Sequence, residues 1–283
     1  MPSPTLIGQA LVAGVLLGGL YGLMALGLTL SWGILSVVNI AYLGLTFLAA
    51  YITYDLGTAH GIAPWLVAIC ILPPFFLFGV ALHAILVRFR VSHLTSLLVT
   101  FGLLVAIESL IQFIWTADFR RYELAYSTQS MRLGPIFVPI FDFCAFIAAA
   151  MLSILTWAGL RYTYAGRALR AVSADATIAT AFGINVRLLG LLLAGLCAAL
   201  AAIGGVFIAL VSTLSPSQMW SWFGVVFAVV IIGRLGNPLG ALIAGIGIGV
   251  SESLTMAIIS PVWSPLVAFS ILIVLLIWQP KWL

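Results

Sequence analysis

The chain has 283 residues, of which 64% are hydrophobic and 6% charged, with 11 Lys+Arg against 7 Asp+Glu. A water-soluble domain carries about 25% charged residues and about 45–50% apolar ones. So little charge cannot cover a surface in water, which excludes a soluble enzyme and a disordered chain; with Lys281 the only lysine and no basic run, it also excludes a nucleic-acid binder.

The composition is that of an all-α, polytopic helical membrane protein built as one transmembrane domain over 1–283. A bilayer core of about 30 Å needs about 20 apolar residues per helix. The start, MPSPTLIGQ, has no positive region and runs into an apolar stretch too long for a signal-peptide core, so no cleaved signal is expected. In chain order the spacing predicts spans over 6–30, 37–56, 64–87, 94–116, 138–160, 188–213, 240–258 and 265–279, about eight in all. The shorter apolar piece Phe223–Gly233 is either a re-entrant half-helix or, extended back to Pro216, a further crossing.

With the N-terminus outside, the inner loops hold Arg88, Arg90, Arg161, Arg167, Arg170 and Arg187, and the outer loops hold Arg120, Arg121 and Arg132. Positive-inside counting favours that orientation. Eight full spans would leave Lys281 outside, so the side of the C-terminus stays open. The outer loop 117–137, with Asp118, Arg120, Arg121, Glu123 and Arg132, is either a solvated linker or a landing surface for an external partner. Cys70, Cys144 and Cys197 lie far apart inside apolar runs and suggest neither a metal site nor a redox pair.

The inner segment 161–187 reads RYTYAGRALRAVSADATIATAFGINVR. After Gly166 the apolar positions Leu169, Val172, Ala176, Ala179 and Phe182 recur at helical steps, with Arg167, Arg170, Ser173 and Thr177 toward the other side. Gly183 suits a left-handed cap. The spacing predicts one short amphipathic helix on the arginine-rich side. It can lie on the membrane surface, link two spans, or dock into a partner. A surface helix would show bulky apolar residues and several cations. The mostly alanine face here favours docking.

Three blocks resemble the integral-membrane permeases of branched-chain amino-acid ABC importers, the LivH-type proteins: GGLYGLMALGLTLSWGILSVVNIA, AGRALRAVSADATIATAFGIN and FAVVIIGRLGNPLGALIAGIGIGVSES. The middle block is similar to the family's cytoplasmic coupling loop. On that resemblance Gly166, Arg167, Arg170, Ala171, Asp175, Ala179, Gly183, Ile184 and Asn185 are the ATPase-coupling residues. Two departures stand out. Where the family typically has Asn, an apolar residue, Ala, His and Gly, this chain has Asn39-Ile40-Ala41-Tyr42-Leu43, and a usual Gly-Gly pair is Gly233-Arg234. If these positions face the path, substrate choice differs.

The resemblance implies a multi-pass subunit of a bacterial inner membrane. It would work with a homologous permease subunit, normally as a heterodimer, with two ABC ATPase subunits and with an extracytoplasmic solute-binding protein. ATP and Mg²⁺ are expected on the ATPases and no cofactor in this chain. A P-loop needs Gly-x4-Gly-Lys-Ser/Thr, and the only lysine, Lys281, precedes Trp282. No enzyme is expected: His60, His83 and His93 form no H-E-x-x-H, and no histidine follows His93 to serve the Gly249-Val250-Ser251 turn.

Charge in the hydrocarbon core costs at least about 2.5–3.5 kcal/mol, so polar residues there need a reason. Glu108 and Gln112 share one helical line with Ser96 and Thr100. That line faces either a pore or a neighbouring helix. Glu252, between Ser251 and Ser253, is a candidate for assembly or gating. Asn39 either lines the path or bonds a freed carbonyl near Gly33. The same carboxylates also allow an ion-coupled secondary transporter or channel as the alternative function. Such a carrier has no need of a docking helix.

Overall fold

The computed structural model describes residues 3–89, 91, 93–122, 130–133 and 136–278. Arg90, Glu123 and Lys281 lie outside them, as does the side chain of Arg132. The described residues form eleven α-helices: α1 Pro4–Leu35, α2 Ala41–His60, α3 Pro64–Arg88, α4 His93–Trp115, α5 Ile140–Tyr162, α6 Tyr164–Ala174, α7 Ala176–Ala181, α8 Val186–Val211, α9 Gln218–Ile232, α10 Pro238–Ile258 and α11 Ser264–Trp278. One hairpin, β1 Ser130–Leu133 with β2 Ile136–Pro139, pairs antiparallel, Met131 facing Val138.

Six helices are both long and apolar enough to cross a membrane: α1, α3, α4, α5, α8 and α10. The chain is therefore a multi-pass membrane protein. Helix α2 has the length but carries Tyr42, Thr46, Tyr51, Thr53 and Asp55. It tolerates the first four because it lies inside the bundle as far as Thr53, where Tyr42, Thr46, Tyr51 and Thr53 are buried, while Asp55 is exposed near its end. A helix shielded from lipid by its neighbours needs less hydropathy than one that meets acyl chains.

The tightest pair is α1 with α10. Gly14, Gly18 and Gly22 of α1 face Gly245 and Gly249 of α10, and a Cβ at Gly18 would fall on the backbone of Ile246. With no hydrophobic drive between helices in lipid, such small residues let backbones approach and gain dispersion contacts. Helix α8 packs on α2 and α3, Gly205 lying against Thr46 and Ala50.

The hairpin marks one face. Gln9 clasps it, its Nε2 donating to the Phe137 carbonyl at 2.7 Å and its Oε1 accepting from the Phe137 N–H at 2.9 Å. On the same face Arg120 and Leu214 exchange backbone hydrogen bonds of 2.9 and 2.7 Å. Loop 117–137 is thus tied to the α8–α9 connection and to α1 where it is described. The opposite face carries Arg161, Arg167, Arg170 and Arg187.

Helix α9 settles whether Phe223–Gly233 re-enters or crosses. Its approach at Leu214 is on the hairpin face. Its end reaches the arginine face, where the Arg234 carbonyl accepts from Thr29 Oγ1 at 3.3 Å and Gly236–Pro238 border a cavity shared with Arg161 and Arg170. It therefore connects the two faces. Helix α11 runs beside it, Phe269 against Gly224. With α2, α9 and α11 added to the six apolar helices, nine helices join the faces. An odd number directs α11 toward the arginine face.

Candidate functional site

The inner segment is built by caps. Thr163 ends α5 and starts α6, its Oγ1 accepting from the Gly166 N–H at 3.0 Å. Gly166 sits where α6 meets the end of α5; a Cβ there would fall on the Gly159 carbonyl. Asp175 then interrupts the predicted single helix. Its backbone is extended, φ −158°, and its Oδ1 accepts from the Thr177 and Ile178 N–H groups at 2.8 and 3.0 Å. The segment is accordingly two helices with a corner at Asp175. Aspartate competes for backbone donors and so favours a new N-cap over helix continuation.

Gly183, at φ +81°, closes α7 as expected. The Gly183 N–H donates to Thr180 and the Ile184 N–H to Ala179, a Schellman motif. Asn185 caps α8, its Oδ1 accepting from the Leu188 N–H at 3.0 Å. Asp175, Gly183 and Asn185 thus punctuate the segment and fix the angles between its helices.

The small face is not free. Gly166, Ala168 and Leu169 are buried, and Ala179 is 3% exposed within this chain alone. Ala179 is covered within this chain, where α7 packs on α6 and α8, and Gly166 lies against Gly159 and Leu160 of α5. Phe182, read from periodicity as part of the apolar face, is 83% exposed, and Ile178 is 57% exposed. Arg167, Arg170 and Ala171 are exposed as well. Arg161 stacks over Trp157, 5.2 Å from the ring centroid.

The membrane-embedded polar residues fall in three places. Glu108 lies between α4 and α9, its Oε2 accepting from Trp220 Nε1 at 3.0 Å and its Oε1 3.5 Å from Gln112 Nε2. Ser96 and Thr100, on the same line of α4, are buried instead. The Thr100 hydroxyl accepts from the Ile40 N–H at 3.2 Å, serving the free backbone at the start of α2. Glu252 is 3% exposed and accepts from the Tyr21 hydroxyl at 2.7 Å, at the wall of a cavity of about 270 Å³ that also includes Trp222. Asn39 and Tyr42 stand at the α1–α2 break. The Asn39 Oδ1 is buried without a hydrogen-bond partner, and the Tyr42 ring lies on Gly27 in the core.

Sequence reasoning missed Tyr21 and Trp220, the partners of the two carboxylates. Each is an ordinary aromatic in an apolar run, 231 and 112 residues from its acceptor, so no local signal marks either. The Gly233-Arg234 departure also takes a different meaning. Arg234 has φ +69°, so the position needs a left-handed backbone, which is the reason for glycine there. Among the described residues no group of three or more His, Cys, Asp or Glu is placed to hold a metal ion.

The sequence profile of the family described as branched-chain amino acid transport system / permease component matches residues 10–276. The high-affinity branched-chain amino acid transport system permease protein LivH of Escherichia coli (strain K12) is 24% identical over 296 residues, covering 96% of this chain and 93% of its own. The probable branched-chain amino acid transport permease protein LivH of Methanocaldococcus jannaschii is 28% identical over 270 residues, covering 88% and 81%. A solved structure, PsaBC from Streptococcus pneumoniae in complex with Fab, is similar at a TM-score of 0.48 and 13% identity, covering 94% of this chain and 89% of that one. The chain belongs to the family of branched-chain amino acid transport system permease components.

Proposed function

We propose that this permease is one of two homologous membrane subunits of an ABC importer in a bacterial inner membrane. It moves branched-chain or related amino acids handed over by an extracytoplasmic solute-binding protein. Two separate ATPase subunits bind ATP and Mg²⁺ and dock on the arginine-rich face through α6 and α7. The observation that carries this is the capped segment 163–185. Its small residues are buried within this chain, yet Ile178, Phe182, Arg167 and Arg170 are exposed on it. Exposed apolar side chains on an arginine-bearing segment suit a protein groove, and rigid caps transmit a push from that groove into α5 and α8. Family membership favours this reading over the ion-coupled carrier, and the lack of any P-loop sequence supports separate ATPases.

The test is co-purification of the ATPases with the double variant Ile178→Asp/Phe182→Asp. Both side chains are exposed, so insertion and abundance should stay normal. Association is expected to fall at least about ten-fold, as for loss of an apolar anchor. Wild-type association with wild-type uptake would overturn the docking assignment.

A further inference from the structure

We propose that the face where α4 meets α9 at the Glu108–Trp220 contact is this subunit's share of the translocation path, with Glu108 receiving the ammonium group of the amino acid in transit. The proposal rests on the importer reading above and names the site where that importer meets its cargo. Glu108 is half-buried in a membrane-length helix, and its two oxygens face Trp220 Nε1 at 3.0 Å and Gln112 Nε2 at 3.5 Å. Both donors are neutral. They orient the carboxylate and leave its charge uncompensated. A carboxylate so placed belongs beside water or protein, not acyl chains.

The face around it divides accordingly. Gln112 and Trp220 are exposed beside Glu108, whereas Phe113, the next residue along α4, is 87% exposed. Two groups of aromatic rings follow along α9, the second packed against the core. Phe101 lies 6.0 Å from Trp220, Phe223 stacks on Phe227 at 5.6 Å, and Phe227 meets Trp32 at 5.0 Å, near the arginine-face end of α1. A fixed anion at the hairpin-face end and rings below it match a cargo with an ammonium group and an apolar side chain. Glu252 lacks these features: it is buried behind α1 and already holds the Tyr21 hydroxyl.

The experiment places single cysteines at Gln112 and Phe113 in the full importer, in a chain with Cys70, Cys144 and Cys197 replaced. A charged, membrane-impermeant thiosulfonate is applied to intact cells with and without leucine. Such reagents attack only hydrated thiolates. Gln112→Cys should react and be slowed at least about three-fold by leucine, while Phe113→Cys stays unreactive. Glu108→Gln should raise the KM for leucine uptake about ten-fold, the size of a lost charge-assisted hydrogen bond, with Glu108→Asp between it and wild type. No reaction at Gln112, or equal reaction at both positions, overturns the path. Unchanged KM in Glu108→Gln overturns the role of the carboxylate. ATPase co-purification, measured on the same samples, reports on the docking reading separately.

Discussion

The Tyr21 hydroxyl donates to Glu252 Oε2 at 2.7 Å, joining α1 to α10 across 231 residues at the wall of a cavity that also contains Trp222. The two helices already touch backbone to backbone through glycine. The hydrogen bond gives that apolar contact a fixed register, since sliding either helix would strand a buried carboxylate.

Tyr21→Phe should therefore destabilise the protein by about 0.6–1.7 kcal/mol, the range for hydrogen bonds between membrane helices. Glu252→Leu should cost a similar amount. The double variant should cost less than the sum, because the second change removes a group already left alone. Thermal unfolding in detergent of all four proteins measures this. Strict additivity would show that the pair contributes nothing.

The glycine contact makes a sharper prediction. Gly18→Leu drives a side chain into the Ile246 backbone and should cost at least about 1–3 kcal/mol. Gly102 in α4 is the control: a Cβ there meets nothing within 4 Å. Gly102→Ala should be neutral or stabilising by about 0.5–1 kcal/mol, through helix propensity alone. The comparison of melting temperatures decides whether the α1–α10 approach is as close as described.

At the corner of the inner segment, Asp175→Ala removes the cap of α7 and should cost about 0.5–2 kcal/mol locally. Asp175→Asn should retain most of the cap. Helix α7 has six residues, too few to hold without its ends. Hydrogen exchange over 176–181 should rise at least about two-fold in the alanine variant and stay near wild type in the asparagine variant. Gly183→Val should behave like Asp175→Ala, since a β-branched residue is disfavoured at φ +81°.

Arg234 holds a left-handed backbone at φ +69°, which costs an L-residue about 1–2 kcal/mol. Arg234→Gly relieves this, and the freer unfolded chain takes back about 0.4–1 kcal/mol. The melting temperature should rise slightly or hold. Arg234→Val should lower it. A fall for glycine as large as for valine would mean that the arginine side chain, not the turn, decides the position.

The amino-acid pattern by itself determined the solvent, the class of fold and the family. Charge at 6% and continuous apolar runs of about 20 residues indicate helices in a bilayer, since the other spanning solution, a closed barrel, uses strands of about 10 residues with alternating polarity. Gly183 was legible as a cap because glycine is the residue that takes positive φ without cost. Asp175 was not legible as a corner, since an exposed aspartate in a helical period reads equally as a solvated face. Only the tertiary structure decided which helices meet lipid. Helix α2 has the length of a span but the most polar composition of the membrane-length helices, yet Tyr42, Phe47 and Tyr51 are fully buried. Only the tertiary structure gave Glu108 its contact with Trp220 and Glu252 its contact with Tyr21, because these partners lie 112 and 231 residues away. The same holds for Ala179: periodicity places a small residue on a face, and packing alone says whether that face meets a partner or the protein's own bundle.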